Sequence, residues 1–194
     1  MIGDLFDFRD TTFEVYRANT HERWRTFQIA INWFVQTNGL TIVETGCIRD
    51  QSYQDGASTR LFADLTRRMN GIVKFWSVDI EPRHIALARG FVGSHGLITL
   101  TVGDSIEYLK AFPNRIDLLY LDSFDYNRGD PGPAQRHALN EIMAAFPKLG
   151  PKACVLIDDN DPVGGGKGEL AKGFLAENDF VCVMDHFQSC WVRV

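Results

Sequence analysis

The chain has 194 residues, 45% of them apolar and 23% charged, with a formal net charge of −5. That length suits one domain with a large core, and the composition is that of a globular protein rather than a disordered chain. The acidic balance removes the long-range attraction to duplex nucleic acid or an anionic membrane, and no apolar run approaches the ~20 residues of a membrane span, so neither is expected as a partner.

Residues 1–20 are polar and aromatic without clear period and read as an arm or short helix. From Glu22 to Val35, Trp24, Phe27, Ile31 and Phe34 recur at spacings of three and four, the mark of an amphipathic helix, and Asn38-Gly39 ends it. A short buried strand, Leu40 to Glu44, follows, then a polar loop over 45–57. Ser58 is placed to cap a helix to Met69, with Asn70-Gly71 as its stop. Val73 to Asp79 is a second strand, and Pro82 opens a helix to Phe91. Ile98 to Val102 is a third strand. Asp104 with Glu107 resembles a capping box and opens a helix to Phe112. Ile116 to Leu121 is a fourth strand, Pro133 to Phe146 a helix, Ala153 to Ile157 a fifth strand, and Gly168 to Glu177 a helix.

The tail breaks this alternation. Phe180 to Met184 and Cys190 to Val194 read as strands, and the link Asp185–Ser189 is too short for a parallel crossover, so they pair antiparallel. The expectation is an α/β, Rossmann-like, doubly wound and mostly parallel seven-stranded sheet with a C-terminal antiparallel hairpin. Residues 1–37 form an arm and helix packed on a core of 38–194.

In an open parallel sheet, ligands bind beyond the carboxyl ends of the strands. Here each such end carries a carboxylate: Glu44-Thr45-Gly46, Asp79, Gly103-Asp104-Ser105, Asp122-Ser123 and Asp158-Asp159-Asn160-Asp161. Five on one rim call for a cationic or polyhydroxylated guest. A nucleoside ribose suits Asp79, and a divalent cation suits the oxygens of Asp122 and the 158–160 cluster.

The run Val43-Glu44-Thr45-Gly46, then Asp79, Gly103-Asp104-Ser105 and Ile116 to Asp122, resembles the successive motifs of class I S-adenosylmethionine (SAM)-dependent methyltransferases, over roughly residues 38–194. Among these it is most similar to small-molecule O-methyltransferases of the catechol and macrocin type. The resemblance implies that Glu44, Thr45 and Gly46 lie against the methionine part of SAM. By the same resemblance Asp79 takes the ribose hydroxyls, Gly103, Asp104 and Ser105 face the adenine, and Asp122 closes the cofactor site. It also implies a magnesium ion held by Asp122 with Asp158, Asp159 and Asn160, the macrocin alignment selecting Asp158 and Asp159 and the catechol alignment Asp159 and Asn160. The implied activity is methyl transfer to a hydroxyl of a small molecule, with Asp122, Asp125 and His137 as candidate catalytic residues and His186 as a further candidate base.

The sequence departs from that pattern twice. Cys47 to Asp55 intervenes where a tight glycine turn is usual, and Asp125 stands where catechol-type enzymes carry a lysine. The alternatives are a non-catalytic SAM- or nucleotide-binding module acting as a partner subunit, and a nicotinamide oxidoreductase. The latter is disfavoured because no G-x-G-x-x-G follows the first strand.

Gly164-Gly165-Gly166-Lys167-Gly168 is not a P-loop, since Gly168 replaces the Ser/Thr, and it reads as a mobile loop with a solvated lysine. His84 and His95 read as surface residues. Cys47, Cys154, Cys182 and Cys190 form no C-x-x-C pair and read as free thiols rather than a zinc site. With no basic and apolar leader in Met1 to Asp7, the expected location is cytoplasmic. The apolar N-terminal helix is a candidate homodimer face.

Overall fold

The computed structural model describes residues 14–20, 22–50, 57–69, 71–161 and 164–194. The arm before residue 14, and 51–56 of the loop after the first strand, lie outside the described residues. The elements are α1 (Glu14–Asn19), α2 (Arg23–Gln36), β1 (Thr41–Thr45), α3 (Ser58–Arg68), β2 (Lys74–Asp79), α4 (Pro82–Val92), β3 (Ile98–Val102), α5 (Ser105–Ala111), β4 (Ile116–Leu121), α6 (Gly132–Ala145), β5 (Leu149–Ile157), α7 (Glu169–Ala176), β6 (Phe180–Asp185) and β7 (Ser189–Arg193).

The strands form one seven-stranded sheet in the order β3-β2-β1-β4-β5-β7-β6. β1 to β5 are parallel, β6 and β7 pair antiparallel as their short link requires, and β7 lies between β5 and β6, antiparallel to both. The order reverses between β1 and β4, which places the topological switch point at the carboxyl ends of those two strands.

Strand parity divides the core. Ile42, Leu118, Tyr120, Cys154 and Leu156 face α2 and α3, where Phe27, Ile31, Phe34, Leu61 and Phe62 cover them. Val43, Leu119, Leu121, Val155 and Ile157 face the opposite layer, under Leu109, Ala138, Ile142, Ala171 and Leu175 of α5, α6 and α7. The Tyr120 ring is the hub of the first layer, edge-on to Phe27 (5.5 Å between centroids) and Phe62 (5.8 Å). Each such pair contributes about 0.5–1.5 kcal/mol beyond area burial.

The Asp104 side chain caps α5 by accepting Glu107 N–H at 2.9 Å. Glu107 does not return the bond but pairs with Lys110, so only half of the expected box forms. The expected Ser58 cap is absent: the N-cap of α3 is Ala57 in the left-handed region, and the Ser58 hydroxyl is used elsewhere. β5 begins four residues earlier than its apolar run suggests, because Leu149 pairs with Ile116 across a register shift. The four cysteines are free thiols, with Cys154 and Cys190 Sγ atoms 3.7 Å apart in the core. No helix among the described residues is long and apolar enough to cross a membrane.

Candidate active site

At the carboxyl edge of β1, β2 and β4 a cavity of about 250 Å³ opens. Gly46, Asp79, Ile80, Asp104, Ser105 and Asp122 are in its wall, with Ser123, Phe124, Asp125 and His137 along the side toward α6. Five residues expected to hold SAM therefore meet in one space. Glu44, Thr45 and Gly103 do not line it.

Glu44 lies one layer beneath, fully buried. It faces α3 because β1 parity sends Ile42 and Glu44 to the same side. Its register partner on β2 is Ser77, whose hydroxyl donates to Oε2 at 2.5 Å. Ser58 donates to Oε1 at 2.6 Å and Thr59 to Oε2 at 2.8 Å. Thr59 Oγ1 in turn accepts the N–H of Ile48 at 3.0 Å, so the buried carboxylate fixes the loop after β1. Burial pushes the Glu44 carboxyl up to about 7 against the three hydroxyls, which favour its ionised form.

Gly46 has φ +77, and a Cβ there would stand 2.5 Å from the Asp122 carbonyl oxygen. The sequence suggests that this glycine admits a ligand. The structure gives another reason: it lets the ends of β1 and β4 close on each other, with Asp122 N–H donating to Thr45 O at 2.9 Å. Asp79 accepts Cys47 N–H at Oδ2 (3.0 Å) and Glu81 N–H at Oδ1 (2.8 Å). His84, expected on the surface, has its Nδ1 3.2 Å from Asp79 Oδ1 and borders the cavity. Burial, with the Glu44 and Asp79 carboxylates beside it, pushes the neighbouring Cys47 thiol up and disfavours its thiolate.

The side toward α6 carries a small polar network. His137 Nε2 lies 2.9 Å from Ser123 Oγ and 3.1 Å from Ser105 Oγ, while Ser123 donates to Glu141 at 2.6 Å. Hydrogen bonding to Glu141 raises the His137 pKa above its ordinary value, against burial. The Phe124 ring stacks on His137 with 5.2 Å between centroids. Asp125 is exposed and ion-paired to Arg49 across the mouth of the cavity. His186 is exposed in the β6–β7 turn, apart from the cavity wall.

The expected metal ligands lie beside this cavity. Parity sends Asp122 and Asp158 up from the α2-facing side of β4 and β5, and Tyr120 bridges them, donating to Asp158 at 2.8 Å and lying 3.3 Å from Asp122. The Arg23 Nε lies 3.0 Å from both Asp158 oxygens. Lys167 Nζ stands 3.1 Å from Asp122 Oδ1 and 3.1 Å from Asp159 Oδ2. Asn160 turns away, donating to Asp185 and the His186 carbonyl.

Lys167, expected to be solvated, is 1% exposed. Burial alone would lower its pKa; Asp122, Asp159 and Asp158 outweigh that and hold it charged. Burial and Asp158 push Asp122 well up against the pull of Lys167. Three carboxylates thus already meet two cations. At ~4 Å from an ammonium, a divalent ion suffers roughly 8 kcal/mol of repulsion at an effective dielectric of ~20. The residues in this arrangement do not fit a magnesium ion.

Several of these residues escape a reading of strand ends. Arg23 carries a signal nonetheless, since it lies four residues before Phe27 on the buried stripe of α2. Ile80, 67% exposed and next to Asp79, and Phe124, at φ +63, carry no sequence signal.

No curated protein sequence matches the chain significantly. Among solved structures, it is similar to the O-methyltransferase NovP (TM-score 0.66, 14% identity, 89% of this chain and 79% of that one). It is also similar to the SAH-bound methyltransferase PaMTH1 of Podospora anserina (TM-score 0.60, 15% identity, covering 93% and 84%). A third similar structure is the N-methyltransferase NodS of Bradyrhizobium japonicum (TM-score 0.57, 14% identity, covering 95% and 98%). At these identities the likeness is one of fold. The family described as "Methyltransferase domain" matches residues 53–160, more than half of the chain. With the strand order and rim described above, the chain belongs to that family and is a class I SAM-dependent methyltransferase.

Proposed function

We propose that the chain transfers the methyl group of SAM to a hydroxyl of a small molecule. The observation that carries this reading is the shared cavity: Asp79 and Asp104-Ser105 form one wall, and Asp122 forms the other at the switch point. The donor set suits SAM. Asp79 lines the cavity and offers carboxylate oxygens for ribose hydroxyls, and the exposed apolar side chain of Ile80 beside it suits a purine face. The α5 N-terminus, with Asp104 and Ser105, suits the purine edge.

SAM, when bound, supplies an electrophilic methyl group on a sulfonium. The chain's own task is positioning, which accounts for several kcal/mol of barrier when reacting atoms are held in line. Asp122 borders both the cavity and the carboxylate cluster, so it orients the acceptor hydroxyl and takes its proton as the oxygen attacks. Phe124 and the Arg49–Asp125 pair form the outer wall that limits water. The resemblance of fold to an O-methyltransferase supports oxygen as the acceptor atom, and the modest cavity supports a small acceptor.

The test is calorimetric titration of S-adenosylhomocysteine (SAH), followed by turnover over phenols and sugar hydroxyls. Micromolar binding, lost at least 50-fold in Asp79→Ala, with turnover cut at least 100-fold in Asp122→Asn and SAH affinity reduced far less than turnover, is expected. SAH binding without turnover on any hydroxyl acceptor would instead make the chain a binding module or direct it to nitrogen or carbon. Absence of SAH binding would overturn the reading.

A further inference from the structure

The glycine run before Lys167 is not a free lid. Gly166, at φ +66, packs its α-carbon against the backbone of Asp159 to Asp161, and a Cβ there would stand 2.5 Å from Asp159 O. Lys167 N–H donates to that same Asp159 carbonyl at 3.1 Å. Gln135 of α6 donates to the Gly166 carbonyl at 3.1 Å, and Gly168 sits against Ile157. The Gly166 and Gly168 contacts leave little room for a side chain, and with the two hydrogen bonds they bring the loop down onto the end of β5. The outcome is a lysine driven inward, its ammonium between Asp122 and Asp159. Arg23 occupies the other flank of the cluster on Asp158 and lies 4.2 Å over the Phe187 ring.

We propose that Lys167 is a built-in cation, standing where a divalent metal would otherwise bridge Asp122 and Asp159, and that the site works without a metal. Lys167 is a positioning residue: it holds Asp122 in the orientation that meets the acceptor hydroxyl. It does not take the acceptor proton, because it is buried, charged and already donating to two carboxylates. The inference rests on the reading of Asp122 as part of a methyl-transfer site, and its test is separable from the test of that reading.

Mn²⁺ titration followed by electron paramagnetic resonance reports metal binding directly and needs no turnover. Wild-type protein at equimolar Mn²⁺ should leave the free-ion signal intact, and its melting temperature should agree within about 1 °C between EDTA and millimolar Mg²⁺. Lys167→Ala vacates the bridging position, so Mn²⁺ should then bind and Mg²⁺ should raise the melting temperature by several degrees. Turnover of Lys167→Ala should fall at least 10-fold with SAH affinity within threefold of wild type, and Lys167→Arg should recover part of it. Stoichiometric loss of the Mn²⁺ signal with wild-type protein would overturn the proposal, and so would turnover abolished by EDTA and restored by Mg²⁺. Should Lys167→Ala fail to fold, the wild-type measurements decide alone. SAH binding measured on the same samples separates failure of this proposal from failure of the methyltransferase reading.

Discussion

Ser77 and Glu44 face each other as register partners on adjacent parallel strands, and the serine hydroxyl donates to the buried carboxylate at 2.5 Å. Two further hydroxyls complete the shell, yet burial still holds the carboxyl near 7. The unfolded chain ionises Glu44 near 4.5, so between those values the folded state binds the extra proton. The stabilisation linked to that proton is complete below about 4.5 and is lost as pH rises through 7. Relative to Glu44→Gln, wild-type stability should therefore fall by roughly 3 kcal/mol across that window. Urea unfolding of both proteins at pH 4.5, 5.5, 6.5 and 7.5 checks this; parallel curves would refute it.

Arg23 and Asp158 are both buried, and breaking one half of a buried pair strands the other. Arg23→Met should cost about 3–5 kcal/mol, while Arg23→Met with Asp158→Asn should recover more than half of that loss. Denaturant midpoints of the two single variants and the double variant measure the coupling. An additive double variant would mean that Asp158 is neutralised by some other group.

Gly46→Ala combines a positive φ with a Cβ set 2.5 Å from the Asp122 carbonyl. Backbone, not a flexible side chain, is what must yield. A destabilisation of about 2–4 kcal/mol is expected, with SAH affinity falling as the β1 and β4 ends part. A variant that melts within 1 °C of wild type would show that the β1–β4 closure is looser than these distances indicate.

Phe124 holds a bulky side chain at φ +63, a conformation that costs of order 1–3 kcal/mol and concentrates at functional sites. Phe124→Gly relieves that cost but removes the ring stacked on His137. Its melting temperature should match or exceed that of wild type while SAH or acceptor affinity weakens at least fivefold. Lower stability with unchanged affinity would assign the ring to packing instead.

The mostly parallel doubly wound sheet, its antiparallel C-terminal hairpin and most element bounds were legible because βα alternation and the short 185–189 link leave few topologies. The rim residues Gly46, Asp79, Asp104, Ser105 and Asp122 were legible for the same reason, each lying one to three positions past a strand's last apolar residue. What the cluster of Asp122, Asp158 and Asp159 holds was not, since one cation, Arg23, comes from 135 residues before Asp158, and the other, Lys167, from a glycine-rich run that reads as solvated. A glycine-rich run around a lysine says flexible and solvated when read alone. Only the docking of Gly166 on Asp159 turns it inward. Ser58 similarly reads as a helix cap, but it is the first helical residue after an Ala57 N-cap, and β1 parity puts Glu44 within reach of its hydroxyl, which donates to the carboxylate.

The Thr26 hydroxyl donates to Gln188, and Gln188 donates to the Tyr120 hydroxyl at 3.1 Å, which joins α2, β4 and the β6–β7 turn in one chain of hydrogen bonds. This has a consequence for the order of events at the ribosome. Synthesis at about 5–20 residues per second leaves the N-terminal helix waiting some ten seconds or more for Gln188 to emerge. Asp158 precedes Gln188 by 30 residues, so for only the last few seconds of that wait does the chain hold both Arg23 and Asp158 without Phe187 and Gln188 beside them. The Arg23 side of the acidic cluster is thus closed by a hairpin turn from the end of the sheet, and not by the parallel strands that carry the rim.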